Sequence, residues 1–411
     1  MTRGAGFAPV AEQVALLGRG AVDLVDEAQL ADKLARSRAT GTPLLVKTGF
    51  DPSSPDLHLG HTVLLRKMRH FQDLGHRVVF LVGSFTALIG DPTGKKTTRP
   101  QLTEEEVQRN ALTYQEQVWK VLDRERTEVD FNGRWLVPLG AVGIVRLAGR
   151  YTLARMLERE DFKTRFASQQ PIHLHELLYP LAQGYDSVVM KADVELGGHD
   201  HIYNLLVGRD LMKEEGLEPQ VCLTVPLLVG LDGKDKMSKS LGNAIALEDP
   251  PREMYGRTLS IPDELMWDWY LLLTDLPEAE LRARREALAR GELHPKAAKQ
   301  ELARRIVTDY HGAEAARAAE EEFERVFASG GVPDEVPEVR VDASAPLYKL
   351  IVSAGLAPSN NEARRLIQQG AVAVDGEPVV GDDPANRTLP ARGEPYLLKV
   401  GKRRFARVRT V

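Results

Sequence analysis

The stretch Asp51-Pro52-Ser53-Ser54-Pro55-Asp56-Leu57-His58-Leu59-Gly60-His61 sets the reading of this chain. Before it, residues 44–48 have the apolar composition of a strand. After it, residues 62–74 carry a helical pattern that Gly75 closes. Strand, turn and helix in that order form the junction at which parallel α/β sheets bind ligands, beyond the carboxyl ends of the strands. His58 and His61 stand three apart, so at a helix start they share one face. There they can donate hydrogen bonds to phosphate oxygens, beside the exposed amides of the helix N-terminus. Gly60 leaves room for a flat base against the backbone. Taken alone, the pattern is equally a helix cap with two surface histidines.

Outward from this junction, residues 78–82 form a second strand-like run, and Thr103 with Glu106 makes a capping box for a helix running to about residue 122. Alternation of strand and helix patterns predicts an α/β, Rossmann-like parallel-sheet domain over residues 1–249. Residues 250–330 read as an α-helical domain, with helices at 276–290, 295–310 and 313–328. A linker, rich in glycine and proline at its start, follows over 331–344. Residues 345–411 read as a small α+β domain. In it a helix over 347–354 ends at Gly355, and Ser359 with Glu362 opens a second that ends at Gly370. A hairpin then turns at Asp375-Gly376.

The 411 residues are 43% hydrophobic and 27% charged, as expected of a globular protein that buries its own core. Residues 221–231, the longest apolar run, are about half the ~20 residues a membrane helix needs. Glu12 interrupts the short apolar stretch near the start, which argues against an export signal. One cysteine, Cys222, cannot form an internal disulfide. Cytoplasmic residence is the expectation, and the Asn386-Arg387-Thr388 glycosylation pattern is then coincidental. The net charge of −5 is unevenly spread. From Ala345 onward eleven basic residues face six acids, so the tail carries +5 and the remainder −10. That is the charge layout of a polyanion-binding appendage on an acidic body.

Two further stretches carry chemistry. Lys236-Met237-Ser238-Lys239-Ser240 sets two lysines on a small-residue loop, a cationic clamp suited to charge developing on a leaving pyrophosphate. Gly90-Asp91-Pro92-Thr93-Gly94-Lys95-Lys96-Thr97-Thr98-Arg99 falls short of a phosphate-binding P-loop, since Lys95 stands where the second glycine belongs. It reads better as a loop bringing Lys95 and Arg99 to phosphates. His173-Leu174-His175 and His199-Asp200-His201 have spacings that would seat a metal. With a single cysteine and no second ligand cluster, surface or core histidines are the better account, and no protein-bound metal is expected.

His58-Leu59-Gly60-His61 together with Lys236-Met237-Ser238-Lys239-Ser240 resembles the paired signatures of class I aminoacyl-tRNA synthetases. Within that class the chain resembles the bacterial tyrosyl-tRNA synthetases, in the subgroup with a full Lys-Met-Ser-Lys-Ser loop. Gly49-Phe50-Asp51-Pro52, Tyr179-Pro180-Leu181-Ala182-Gln183-Gly184-Tyr185-Asp186 and Gly197-Gly198-His199-Asp200-His201 support the resemblance, as does the stretch from Gly90 to Lys95. Residues 359–367 and the following hairpin are similar to the S4 RNA-binding module.

The resemblance implies that His58 and His61 contact ATP phosphates, with Gly60 under the adenine and Asp51 and Ser53 nearby. Asp200 would hold the ATP ribose, with Gly198 also at the ATP. Lys236 and Lys239, joined by Lys95 and Arg99, would clamp pyrophosphate. Tyr179, Gln183 and Asp91 would hold the amino group of tyrosine, and Asp186 would accept from its phenol. It further implies ATP with Mg²⁺ carried on its phosphates, tRNA(Tyr) as partner and a homodimer. Neither DNA nor a membrane is implied. Arg364 and Arg365, on the second helix of the tail, form a plausible phosphate-binding face.

Two positions depart from the family. Lys47 stands where many relatives have a tyrosine that also bonds the phenol, which leaves Asp186 as the single nameable phenol partner. His201 stands where glutamine is usual. Three other readings stay open: a tryptophan-specific sister enzyme, against which Asp186 and the S4-like tail argue; a small nucleotidyltransferase; and a paralogue that binds RNA without charging it.

Overall fold

In the computed structural model of this chain, residues 7–52, 56–92, 102–327, 336–401 and 404–410 are described. They pack as two units that divide between residues 316 and 317.

The first unit is built on a six-stranded sheet: β1 Asp23–Val25, β2 Leu45–Phe50, β3 Arg77–Val82, β4 Thr127–Phe131, β5 Val194–Gly198 and β6 Val221–Val225, in the order β1-β6-β5-β2-β3-β4. Five strands run parallel, and β1 pairs antiparallel with β6 at one edge. Every residue of β6, and every residue of β3 after Arg77, is buried. Such unbroken apolar runs are what a parallel sheet covered on both faces requires. The chain builds outward through β2, β3 and β4, then returns to lay β5 on the opposite side of β2. The order therefore reverses between β2 and β5, the place where such sheets open a crevice.

Helix α1, Leu59–Asp73, follows β2, and α2, Tyr179–Met190, leads into β5. The expected capping box of Thr103 and Glu106 is present, and it starts a helix over Glu104–Val118. Downstream, the helices Pro251–Leu259, Met266–Leu273, Glu278–Ala289, Pro295–His311 and Ala313–Phe327 account for the helical pattern read beyond residue 250.

The second unit holds a five-stranded sheet: β7 Glu338–Val341, β8 Val372–Val374, β9 Glu377–Pro378, β10 Tyr396–Val400 and β11 Arg404–Thr410, ordered β7-β11-β10-β8-β9. Its core packs Leu347, Leu350 and Ile351 of a short helix, and Ala363, Leu366 and Ile367 of helix α3 (Asn360–Gln368), with Leu398, Val400 and Val408 of the sheet. Asp375 and Gly376, at φ of 50° and 87°, make the hairpin turn that only residues tolerant of positive φ allow.

Candidate active site

Backbone ties the first signature segment to the chain that follows the second, far away in sequence. Leu59 N donates to Ile245 O at 3.0 Å and Leu247 N to Leu57 O at 3.1 Å, so the chain just beyond the lysine loop lies alongside the start of α1. That start comes three residues earlier than the sequence pattern suggested. His58 caps the helix: its Nδ1 accepts from Gly60 N at 3.2 Å, and His61 Nδ1 accepts from His58 N at 3.2 Å.

This cap changes the expected chemistry. The amides of Leu59, Gly60 and His61 are engaged within the protein, so the open helix terminus foreseen for phosphate is closed at those positions. Because both Nδ1 atoms accept, each ring carries its proton on Nε2. Burial, with Lys239 nearby, pushes His58 to about 3 and His61 to about 4. Both are therefore neutral Nε2–H donors near pH 7. Gly60 has a reason of its own here: a Cβ would stand 2.9 Å from the His58 ring.

A cavity of about 240 Å³ opens at the carboxyl ends of β2, β3, β5 and β6, and Asp51, Gly60, His61, Asp91, Tyr179, Gln183, Asp186, Gly198, Asp200 and His201 all line it. Two larger clefts, of about 610 and 670 Å³ around Arg66 and Asp275, contain none of these side chains. Asp51 accepts from Tyr179 Oη at 2.9 Å and from Thr86 Oγ1 at 2.7 Å. Burial raises its carboxyl to about 6 in spite of these donors. Gly83 must lack a side chain, since a Cβ there would lie 2.0 Å from Asp51 Oδ1. Asp91 faces Arg159 at 3.5 Å and His201 at 3.4 Å. Tyr179 is buried, and burial lifts its phenol well above the ordinary value, so it stays a neutral donor.

Asp186 is 2% exposed at the closed end. Trp135 Nε1 donates to its Oδ1 at 2.7 Å, and Asn132 Nδ2 to its Oδ2 at 3.2 Å. Burial raises this carboxyl to about 7, while Lys47 and the two donors pull it down. Lys47 itself does not line the cavity. Its ammonium contacts Glu195 Oε1 at 2.7 Å with both groups buried.

Asn132, Trp135 and Thr86 were not singled out in the sequence. The available signal was Asn132-Gly133 immediately after β4, another strand end on the crevice side.

The lysine loop is pinned beneath and open above. Met237 is buried and its N donates to Leu228 O at 2.7 Å. Asn243 Nδ2 donates to Asp232 at 2.6 Å and to Lys236 O at 3.2 Å, and its Oδ1 accepts from Ser238 N at 2.8 Å. Lys236 lies 3.6 Å from Asp200, and Lys239 contacts Asp56. Ser53, Lys95 and Arg99 lie outside the described residues. In the second unit, the Arg364 guanidinium stacks on Tyr348 at 3.6 Å, and Arg365 pairs with Glu362 at 2.7 Å. Among the described residues no group of three histidine, cysteine, aspartate or glutamate side chains is placed to hold a metal.

Residues 39–328 match the family of class I tRNA synthetases for tryptophan and tyrosine, and residues 329–408 match a tyrosine–tRNA ligase C-terminal domain. A tyrosine–tRNA ligase of Geobacter sulfurreducens is 54% identical over 402 residues, covering 97% of this chain and 99% of the relative. That of Haemophilus influenzae is 51% identical over 396 residues, covering 96% of each. Among solved structures, a tyrosyl-tRNA synthetase from Archaeoglobus fulgidus, crystallised with L-tyrosine, superposes with a TM-score of 0.62 at 24% identity. It covers 76% of this chain and 100% of its own, a likeness of fold.

Proposed function

The chain belongs to the class I tyrosine–tRNA ligases, and from that membership we propose how its residues divide the reaction. The enzyme activates L-tyrosine with ATP to tyrosyl-adenylate and pyrophosphate, then passes tyrosine to the 3′ end of tRNA(Tyr). One observation supports the residue assignment above all others: Asp186 and His61 line the same cavity, and the chain just beyond the lysine loop, at Ala246, is bridged to His58.

Activation needs no protein nucleophile. The tyrosine carboxylate attacks the α-phosphorus in line, the bond to the bridging oxygen breaks, and pyrophosphate leaves with the electron pair. The work of the site is orientation and stabilisation of charge on the phosphates. His58 and His61 donate from Nε2 to phosphate oxygens, and Gly60 lies under the adenine. Asp200 takes the ribose, with Gly198, Asp51 and Ser53 beside the nucleotide. Lys236 and Lys239, with Lys95 and Arg99, neutralise the departing pyrophosphate. Tyr179, Gln183 and Asp91 hold the amino group, and Asp186 accepts from the phenol. Phenylalanine would leave that carboxylate without its partner in a dry pocket, which is unfavourable. Mg²⁺ arrives on the triphosphate, the usual manner of its binding.

Residues 1–249 bind ATP and tyrosine, residues 250–330 face the anticodon side, residues 331–344 link, and residues 345–411 form an S4-like RNA-binding domain. Arg364 and Arg365 contribute to its phosphate-binding face. A homodimer accounts for six large apolar side chains exposed between residues 137 and 174: Val137, Val142, Val145, Leu153, Phe166 and Leu174. We place the enzyme in the cytoplasm with its substrates. Among the described residues no helix is long and apolar enough to cross a membrane.

The test is ATP–pyrophosphate exchange with tyrosine, tryptophan or phenylalanine as the amino acid. Exchange with tyrosine and near-background exchange with the other two is expected. Preference for tryptophan, or none with any, would overturn the assignment.

A further inference from the structure

Near the middle of the sheet, β2 and β5 place Lys47 directly opposite Glu195. Both side chains are essentially unexposed, at 0% and 1%. A buried ion pair is weak evidence for stability, since desolvating two charges offsets most of their attraction. What Glu195 holds gives the pair a purpose. Its Oε2 accepts from Ser187 Oγ at 2.8 Å and Gln220 Nε2 at 2.9 Å. Its Oε1 accepts from Lys47 Nζ at 2.7 Å and Gln183 Nε2 at 3.2 Å.

Gln183 lines the cavity, and its amide has two chemically opposite ends. An ionised carboxylate only accepts, so Glu195 admits the NH₂ end alone; a flipped amide would set oxygen against oxygen. Asn204 reads the other end, donating from Nδ2 to Gln183 Oε1 at 2.9 Å. That oxygen keeps a second lone pair for a donor in the cavity.

We propose that Lys47 and Glu195 are positioning residues that lock the Gln183 amide with its oxygen available to the amino group of tyrosine, Lys47 holding the same Glu195 oxygen that receives Gln183 Nε2. The inference rests on the assignment of Gln183 to that amino group. An unlocked amide would present its NH₂ to an ammonium for part of the time, and binding would weaken without any change of fold. Lys47 is thereby accounted for without a phenol contact, although it occupies the strand position beside the tyrosine pocket.

The experiment compares full-length Lys47→Met/Glu195→Gln, in which an amide replaces the carboxylate and accepts either orientation of Gln183, with Gln183→Ala. Both are measured by tyrosine and ATP KM in pyrophosphate exchange, by thermal melting, and by inhibition with 3-(4-hydroxyphenyl)propanoate, which has the phenol and carboxylate but no amino group. The double variant is expected to raise tyrosine KM by about 10- to 100-fold, the range for a hydrogen bond to a charged group. ATP KM and inhibition by the amino-free analogue should stay near wild type. If Gln183→Ala raises tyrosine KM and the double variant does not, the positioning role is overturned while the Gln183 assignment stands. If Gln183→Ala has no effect, the assignment fails and the inference with it. Equal weakening of the amino-free analogue would mark a general distortion of the pocket and also overturn the proposal. Should the double variant not fold, Glu195→Gln alone carries the same expectations, since it too replaces the acceptor-only carboxylate with an amide.

Discussion

Asp186 is 2% exposed and already takes donors from Asn132 and Trp135, whereas the side chains of Lys236 and Lys239 are 53% and 36% exposed and lie against Asp200 and Asp56. The closed end is finished before any ligand arrives. At the other end the cations rest on acids from which a triphosphate can draw them. The two ends serve different needs. Reading a phenol requires an acceptor whose alternatives are costly, so burial and fixed donors suit it. Stabilising charge that appears only as pyrophosphate departs calls for cations free to follow the leaving group.

The largest expected effect comes from removing the fixed end. Asp186→Ala would delete the proposed phenol acceptor and strand the Asn132 and Trp135 donors, so tyrosine kcat/KM should fall by about 10³-fold or more. ATP binding should be nearly unchanged, as direct titration would show. If the loss fell equally on ATP, the division between the ends would be broken. Lys239→Ala should slow adenylate formation by about 10²- to 10³-fold in pre-steady-state kinetics while sparing tyrosine affinity. A wild-type rate would remove Lys239 from the clamp.

pH should separate the ends more gently. In its proposed role Asp186, which burial raises to about 7, accepts from the phenol most strongly when ionised, so tyrosine kcat/KM should fall by up to about tenfold per unit as pH drops below 7. His58 and His61, held to about 3 and 4, contribute no limb between pH 5 and 8, so any pH dependence of ATP KM there should come from Asp51, which burial raises to about 6. For stability the sign is reversed. The folded-state value of Asp186 lies above the ordinary carboxylate value of 3.8, so this group's contribution is full below about 3.8 and is lost as pH rises toward 7. Asp186→Asn should therefore raise the melting temperature at pH 8 relative to wild type, with little difference near pH 3.5. The reverse trend would mean that the buried carboxyl is not held protonated by its surroundings.

The smallest effect lies outside both ends. Arg364→Ala/Arg365→Ala should reduce the salt slope of tRNA binding by about 1 to 2 and leave pyrophosphate exchange untouched. Parallel loss of both activities would indicate misfolding instead.

The same contrast explains what the sequence revealed. Patterns carried by neighbours along the chain were legible: the β2-turn-α1 junction, the Thr103 cap and the Asp375-Gly376 turn. So was the lysine loop, while Asp51, Tyr179 and Asp186, which line the cavity, were given by the family resemblance. What escaped depends on partners distant in sequence. Asn132 and Trp135 follow a short, half-buried strand with a weak apolar pattern, and their importance appears only when β4 brings them to a carboxylate 54 and 51 residues away. Glu195 sits alone among apolar residues of β5, and nothing local announces that Lys47 faces it across the sheet. The true start of α1 was obscured because a histidine serves as its cap, where serine, threonine, aspartate and asparagine are the expected residues.

Equilibrium binding of tyrosine alone, without ATP, to wild type, Lys239→Ala and Asp186→Ala tests most directly that the phenol end is complete before the phosphate end engages. Lys239→Ala should bind tyrosine as tightly as wild type, and Asp186→Ala should show no measurable binding over the same range. Tyrosine affinity lost in Lys239→Ala, or kept in Asp186→Ala, would contradict the account.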